Sequence, residues 1–276
     1  MKQLLIILFS LSLYSVSAQD FFQRTYGGPG SEFGRGVVQT QDGGYACVGS
    51  TNSYSDGSSN VYLIKLDEFG DYIWGRNLGQ EGKIDWGMDI VEDSQGNLII
   101  AGYSNNTQNS DYQGLVLKLS STGQVLWSEY YGEADWDFLE SIAVDEQDNL
   151  YVCGNIFREN SQQGWIAKIS ADGELVWEET ISDEGNVFIT GISACSEFVG
   201  FVGYRQDVLS QFNSFLSGSY DQEGNETWLE VQDNWGNIQS GRCSCNSESV
   251  IVSGSTYLSS DDTDFYLVMQ DAATGD

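Results

Sequence analysis

The chain has 276 residues, of which 11 are Lys or Arg and 41 are Asp or Glu, and it contains no histidine. A net charge of −30 repels phosphates, so we expect no nucleic acid and no anionic membrane among the partners. The missing histidine excludes Ser-His-Asp and Cys-His catalysis and histidine-ligated zinc. No cofactor is expected, and any metal would be an oxygen-ligated ion such as calcium.

The first 18 residues have the three parts of a secretory signal peptide. Met1-Lys2-Gln3 is a short basic start, residues 4–13 are apolar, and Val16-Ser17-Ala18 is a small-residue cleavage site. The apolar run is too short to span a bilayer. We therefore predict a mature chain that starts near Gln19 and is secreted or held at the cell surface without membrane insertion. Residues 19–276 are expected to form one domain.

The mature chain repeats one short phrase that opens with glycine and closes with tryptophan. The copies are residues 70–74, 123–127, 173–177 and 224–228, and Gly275-Asp276 opens a fifth. The four tryptophans lie 53, 50 and 51 residues apart. A fixed period of this length indicates a repeat architecture. We read the tryptophan as structural, with one flat ring per repeat packing against the neighbouring unit.

Each repeat predicts four short strands. In the first repeat these are residues 36–40, 45–49, 61–66 and a strand around Trp74, joined by turns rich in Asp and Gly. The second strand ends in glycine in every repeat, which marks a bulge or a close backbone approach. These glycines are Gly49, Gly102, Gly154, Gly203 and Gly254. Four-stranded units repeated around an axis are the blades of a β-propeller, so the predicted fold is all-β with five antiparallel blades.

The interrupted fifth phrase predicts how the ring closes. Phe22 precedes Trp74 by 52 residues, in register with the tryptophans. Residues 20–27 could therefore supply the fourth strand of the last blade, paired with residues 264–270, and hide its edge. A fragment of a longer protein with further blades is equally compatible with the sequence.

The repeat resembles the secreted bacterial β-propeller repeat family, common among exported proteins of Bacteroidota-type bacteria. The resemblance covers residues 22–276 and weakens in the last two repeats, where Gly218 and Met269-Gln270 replace a strand-three lysine. It implies a fold and export, often ahead of a type IX sorting domain, and no single activity. The blade phrase is also similar to the tryptophan-docking motif of quinoprotein propellers, which locks blades together and does not bind the quinone. The segments that carry the main resemblance are Tyr26-Gly27-Gly28, Glu32, and residues 41–45, 49–53, 63–66 and 70–74.

Five cysteines in an exported chain allow at most two disulfides. Cys47 and Cys153 lie in similar apolar strands, where buried thiols are expected. Cys195 could pair with Cys243 or Cys245 across neighbouring blades, and the sequence leaves this choice open.

An acidic or amide residue followed by an aromatic one stands just before strand one in several repeats. We take Asp85-Trp86, Asp135-Trp136 and Asn234-Trp235 as candidate ligand-binding pairs, and Glu32-Phe33 has the same pattern. If strand one is innermost, these pairs crowd one rim of the central channel, where rings could stack on sugars. The structural alternative is that the acidic residue caps a turn and the ring packs between blades. No catalytic residue is assigned.

Two further patterns carry charge. Lys65, Lys118 and Lys168 recur in strand three, and buried partners are expected for them, with Asp93 and Asp145 as candidate carboxylates. Residues 261–264 cluster oxygen ligands but lack the spacing of an EF-hand loop, so a solvated polar loop is favoured over a calcium site.

Three functions fit these observations. The first is a monomeric, non-enzymatic module that binds a glycan or a protein outside the cell. The second is a carboxylate-dependent glycoside-cleaving enzyme, with Asp85 and Asp135 as the first suspects. The third is a structural spacer within a larger type IX-secreted surface protein.

Overall fold

The computed structural model describes residues 22–275 except 55–56, 106–110, 133–134, 211, 234–236 and 260–261. The predicted signal peptide lies outside the described residues. The described chain folds into five antiparallel sheets, each a simple meander, and we call each sheet a blade. In this part of the chain, no helix is long and apolar enough to cross a bilayer.

Strand bounds follow the repeat. Blade one contains β1 (Glu32–Gln39), β2 (Tyr45–Thr51), β3 (Asn60–Leu66) and β4 (Tyr72–Leu78). Blade two contains β5 (Asp85–Glu92), β6 (Leu98–Ser104), β7 (Gln113–Leu119) and β8 (Val125–Tyr131). Blade three contains β9 (Phe138–Val144), β10 (Leu150–Arg158), β11 (Ser161–Ile169) and β12 (Leu175–Ile181). Blade four contains β13 (Asn186–Ala194), β14 (Phe198–Gln206), β15 (Asn213–Asp221) and β16 (Glu226–Gln232). Blade five contains β17 (Asn237–Cys245), β18 (Ser249–Ser259) and β19 (Asp262–Asp271).

The hydrophobic core lies between the blades. The first strands of successive blades contact one another, from β1 to β5, β9, β13 and β17. Four clusters of buried apolar side chains fill the four junctions from blade one to blade five. Because a blade buries little by itself, each one depends on its neighbours, as in other repeat proteins.

The repeated phrase makes one contact at each junction. The tryptophan of one blade packs on the turn glycine of the next blade, pairing Trp74 with Gly123, and likewise at the three following junctions. A Cβ added to these glycines would lie 2.8 to 3.5 Å from the indole ring. Three of the indoles also donate Nε1–H to a carbonyl of the same turn, at 2.9 to 3.3 Å. The expected structural role of the tryptophans is therefore confirmed, and it explains why glycine accompanies them.

Phe22 takes the place of a tryptophan at blade one. Its ring lies against Gly70, as Trp74 lies against Gly123. Four residues further on, the Tyr26 hydroxyl donates to the Gly70 carbonyl, as the Tyr131 hydroxyl does to Gly173 at 2.7 Å. The register predicted for Phe22 is therefore confirmed.

The last blade differs from the expected completion. Its sheet has three strands, β17-β18-β19, and the N-terminal segment is not one of them. Residues 22–28 instead run without strand structure over blade one, where Arg24 forms an ion pair with Asp71 at 2.9 Å. These contacts with the turn of blade one hold the segment in register without pairing it to β19.

The face of blade one that points away from blade two, and the face of blade five that points away from blade four, are exposed to solvent. Val37 on β1 is 66% exposed, whereas the isoleucines at the same sheet position in β5, β9 and β13 are at most 6% exposed. Leu267 on β19 is also 66% exposed, and its counterparts Leu63, Val116 and Ile166 are fully buried. Blade five is therefore packed on one side, against blade four.

A disulfide joins Cys195 to Cys245 across 50 residues, with the two Cα atoms 6.1 Å apart. It links the end of β13 in blade four to β17 in blade five. One of the two pairings left open by the sequence is thus established. Cys47, Cys153 and Cys243 are free thiols.

The strand-three lysines have different partners. Lys118 forms a buried ion pair with Asp93 at 3.0 Å, as predicted, and Lys65 pairs with Asp42 at 2.8 Å. Lys168 instead donates to the Gln222 carbonyl at 3.0 Å and lies over the Tyr151 ring. The Tyr151 hydroxyl donates to Asp145 at 3.2 Å, so the ring occupies the space in which a direct Lys168–Asp145 pair was expected.

The buried Asp93 carboxylate predicts a pH effect on stability. Burial raises the pKa of Asp93, but hydrogen bonds from Asn97 and the Lys118 ammonium outweigh it, so the pKa lies below its ordinary value. A lowered pKa adds stability that is present above the unfolded pKa of about 3.9 and is lost as the pH falls through the folded pKa. In urea titrations, Asp93→Asn should be destabilised relative to wild type at neutral pH, and this difference should shrink below about pH 4.

The control for Asp93→Asn is Glu68→Gln, which removes an exposed carboxylate from a turn. Its difference from wild type should stay small at every pH. A difference for Asp93→Asn that persists unchanged to pH 3 would contradict this account of the ion pair.

Candidate functional site

Each inner strand carries a β-bulge that adds one residue to the blade's first strand. In blades one to four the register shifts skip Arg35 in β1, Met88 in β5, Glu140 in β9 and Thr190 in β13, and in blade five a shift lies between Ile238 and Ser240 of β17. We call these four the bulge residues. Bulges re-aim a side chain without ending the sheet, and they are frequent beside binding sites.

All four bulge residues line one cavity of about 420 Å³, together with Arg242 on β17. The inner strands of all five blades thus surround a common axis. The chain is a β-propeller. The bulge residues are its channel side chains, and they do not repeat: one is cationic, one anionic, one apolar and one a hydroxyl. The repeat determines the position of these side chains in the blade, whereas their chemical type differs from blade to blade.

The strand-two glycine explains how the propeller accommodates each bulge. The carbonyl oxygen of the residue two before the bulge residue presses against this glycine, as Phe138 does against Gly154. A Cβ on Gly154 would collide with that oxygen, and the equivalent glycines of blades one, two and four have the same contact. The strand-two glycine therefore leaves the space that the bulged strand needs, and the two features occur together in blades one to four.

Gly154→Ala should displace the bulge that carries Glu140. Overpacking against backbone cannot be relieved by a rotamer change, so we expect the free energy of unfolding to fall by about 2 kcal/mol. Urea unfolding measures this loss. Gly34→Ala is the matched control, because a Cβ there meets nothing within 4 Å. Equal stability of the two variants would contradict the proposed role of Gly154.

Charged and polar side chains line the channel cavity, and some of their hydrogen-bonding atoms have no partner among the described residues. Glu140 has no hydrogen bond or close ion pair among the described residues. Burial raises its pKa, and the positive charges of Arg35 and Arg242 act in the opposite direction. Both guanidinium groups therefore lie within electrostatic reach of this carboxylate. Tyr204 also lines the cavity, and burial followed by the charge of Glu140 raises its pKa.

Aromatic rings continue the site at the start of the inner strands. Phe33 stacks on Trp86 with centroids 6.3 Å apart, and Trp86 stacks on Tyr103 at 5.8 Å. Tyr103 contacts Phe138 at 4.8 Å, edge to face. We call these four rings, with Tyr112 and Trp136 beside Phe138, the aromatic row. Phe33, Trp86 and Phe138 each precede a bulge residue by two positions, so the row adjoins the channel cavity.

Burial raises the pKa of Tyr103 to about 12, and Glu140 adds to this effect. The hydroxyl is therefore protonated at neutral pH and can act as a hydrogen-bond donor. Trp86 is stacked between Phe33 and Tyr103, whereas Phe33 and Trp136 are more than half exposed. These two rings are therefore the ones that present apolar surface beside the channel cavity.

The structure separates the predicted acidic residues from this site. Asp85 is buried and accepts hydrogen bonds from the Ser104 hydroxyl and, at 3.3 Å, from the Gln80 N–H. Burial raises the pKa of Asp85. Glu32 accepts a hydrogen bond from the Thr51 hydroxyl at 2.9 Å in the same sheet position. These carboxylates hold the loop that enters strand one, which is the structural alternative stated for them above.

Blade three places a different acid in that position. Asp135 is exposed on a loop with a φ of 108°, whereas Asp137 is fully buried and forms an ion pair with Arg158 at 3.6 Å. Asp137 and Phe138 therefore stand where Asp85 and Trp86 stand in blade two. Trp136 belongs to the aromatic row and is 56% exposed, so both predicted tryptophans, Trp86 and Trp136, join one cluster.

Two of the predictions lie partly or wholly outside the described residues. These are the pair Asn234-Trp235 and the acidic stretch that begins at Asp261. Within the described part of the chain, no group of three or more cysteines or carboxylates is arranged to hold a metal ion. The cavity residues themselves were missed by the sequence reasoning. The signal that could have found them is an aromatic residue followed two positions later by a residue that differs in every repeat.

Comparisons with known proteins support the fold alone. No family model matches the chain, and no curated protein matches it. A mutant of the Synechocystis apocarotenoid oxygenase is 12% identical with a TM-score of 0.50, covering 91% of this chain and 61% of that one. A thermostable family-43 glycoside hydrolase is 10% identical with a TM-score of 0.47, covering 91% of this chain and 92% of that one. A protein of unknown function from Bacteroides caccae is 12% identical with a TM-score of 0.46, covering 72% of this chain and 67% of that one.

Proposed function

We propose that this protein is an exported β-propeller that binds a saccharide in its central channel and does not cleave it. The supporting observation is the cavity itself, in which guanidinium N–H donors and the Glu140 carboxylate face the same space and, among the described residues, keep hydrogen-bonding capacity for a ligand. Sugars present hydroxyls that both donate and accept, and apolar ring faces that stack on aromatic side chains. Membership of the exported bacterial propeller repeat family, and action as a monomer, are part of this proposal.

Export is supported by two independent features. The sequence begins with a signal-peptide pattern, and the described chain contains the Cys195–Cys245 disulfide. Disulfides of this kind persist in oxidising compartments outside the cytosol.

Binding is favoured over hydrolysis by the carboxylates. Glycoside cleavage of the usual kind needs two carboxyl groups on either side of the bond. The described residues that line the cavity include one, Glu140. Asp85 is occupied by Ser104 and Gln80, and Asp135 lies on an exposed loop, so neither supplies the second.

A glycan array followed by calorimetry on the best hit tests the proposal. Glu140→Gln should weaken binding about tenfold, because it removes a charged acceptor of sugar hydroxyls. Trp136→Ala should also weaken binding, whereas Glu68→Gln, far from the channel in a blade-one turn, should not. Silence across the array would contradict saccharide binding, and release of reducing sugar from the bound glycan would favour the enzyme instead.

A further inference from the structure

Two of the 11 basic residues of this acidic chain face the channel cavity. Arg35 and Arg242 lie on β1 and β17, the first and last inner strands. Lysines and arginines elsewhere in the described chain are engaged, as Lys65 is with Asp42 and Arg205 is with Asp183. Arg35 and Arg242 therefore differ from the other described basic residues, because both line the same cavity.

An aromatic ring orients the Arg35 guanidinium, and its hydrogen-bond donors are not used by the described residues. Its Cζ atom lies 5.4 Å from the centre of the Trp86 ring, which orients the planar group. It forms no hydrogen bond or ion pair with the described residues. All five of its N–H donors therefore remain for a ligand.

One nitrogen of the Arg242 guanidinium is held by a hydrogen bond. Its Nη1 donates to the Thr190 carbonyl at 2.6 Å, which ties it to the neighbouring bulge. Nη2 and Nε have no hydrogen-bond partner in the described part of the chain. The anchored guanidinium loses little freedom on binding and can present two parallel N–H groups to a carboxylate.

The two guanidinium groups lie near the two strands that flank β9, which carries Glu140. Arg35 lies over the Trp86 ring of β5, Arg242 donates to the Thr190 carbonyl of β13, and both strands contact β9. The charges of both arginines act on Glu140. The cavity therefore presents two cationic groups and one hydrogen-bond-accepting carboxylate to the same space.

We propose that the saccharide bound in this channel is acidic, and that Arg35 and Arg242 bind its carboxylate while Glu140 accepts hydrogen bonds from its hydroxyls. This inference rests on the proposed function, because it names the class of sugar for the same site. Two guanidinium groups and one carboxylate line the cavity, in a chain of net charge −30. Without this pair, the field of the protein would oppose an anionic ligand.

The test compares two probes that differ in one group. The first is a disaccharide with glucuronic acid at its non-reducing end, and the second is the same disaccharide after reduction of the carboxyl to the alcohol. Calorimetry on the mature chain should give at least tenfold tighter binding of the acidic form. Arg35→Gln and Arg242→Gln should each reduce that preference about tenfold and leave affinity for the neutral form within about threefold.

Arg24→Gln is the matched control, because Arg24 is an exposed arginine paired with Asp71 on the outside of blade one. It should keep the full preference for the acidic form. Glu140→Gln separates the role of the carboxylate from that of the two arginines, since it should weaken the acidic and the neutral form alike. Circular dichroism melts establish that each variant remains folded.

The outcomes distinguish this inference from the proposed function. Equal or tighter binding of the neutral disaccharide would overturn the inference and leave saccharide binding in place. A preference for the acidic form that survives in Arg35→Gln and Arg242→Gln would also overturn it. Binding of neither disaccharide, nor of any glycan on the array, would overturn both.

Discussion

Replacing Trp177 by alanine should lower the free energy of unfolding by about 4 kcal/mol. Its indole lies on Gly224 of the next blade, contacts Tyr151 and Tyr220, and donates Nε1–H to the Gln222 carbonyl at 3.1 Å. Alanine would empty the space between blades three and four and remove one of the two donors to that carbonyl, which Lys168 also reaches at 3.0 Å. Both losses occur at the same junction between blades three and four, and contacts elsewhere in these blades do not replace them.

Trp177→Phe separates the two contributions. Phenylalanine keeps a ring over Gly224 but loses the Nε1–H donor, so we expect a cost of about 1 to 2 kcal/mol. Phe22 already uses this solution at Gly70, where Tyr26 supplies a hydroxyl donor to the turn.

Urea unfolding of wild type, Trp177→Ala and Trp177→Phe measures these differences. Trp136→Ala is the matched control, because that ring is 56% exposed and should cost about 0.5 kcal/mol or less. If Trp177→Ala and Trp136→Ala were equally stable, the junction role of the repeated tryptophan would be wrong.

Loss of the disulfide should have an effect of similar size, concentrated in blade five. The Cys195–Cys245 bond closes a loop of 50 residues, for which chain entropy predicts about 4 kcal/mol of stabilisation. Blade five is packed on one side only, against blade four, since its other face exposes Leu267. The bond therefore replaces part of the support that a second neighbour gives to the other blades.

The double variant Cys195→Ser/Cys245→Ser should unfold about 4 kcal/mol more easily than wild type and lose hydrogen-exchange protection first in β17–β19. A reductant should bring wild type to the same stability and leave the double variant unchanged. Cys47→Ser removes a free thiol and should show neither effect. Uniform loss of protection across all blades would contradict the localised role.

The sequence predicted the parts of the fold that repeat. The phrase from Gly70 to Trp74 predicted the period, the four strands of blades one to four and the register of Phe22, because these depend on positions that recur along the chain. The last blade was harder, since pairing of the N-terminal segment with β19 is a contact between chain ends that no local pattern specifies. The structure shows instead the contacts of that segment with blade one.

The candidate site could not be predicted in the same way, because it is built from what does not repeat. In blade three, two acid-aromatic pairs follow one another, and the pattern drew attention to Asp135 and Trp136, two residues before Asp137 and Phe138, which hold the equivalent sheet position. Similarly, Cys243 and Cys245 lie two apart on β17 and point to the same face, so strand periodicity could not choose between them. Position along the strand decided the pairing.

The bulges have a consequence for how such a protein can change. The contacts that recur from junction to junction, such as Trp127 on Gly173, are made by residues of the repeated frame, and Arg35, Met88 and Glu140 take no part in them. Thr190 differs, because its hydroxyl also bonds Gly241 of blade five at 3.1 Å. The channel side chains of blades one to three and the recurring junction contacts are therefore separate sets of positions. Duplicating a repeat copies the frame intact and leaves one position per blade free to diverge. New specificities can thus arise on this scaffold through a handful of substitutions that the core does not resist.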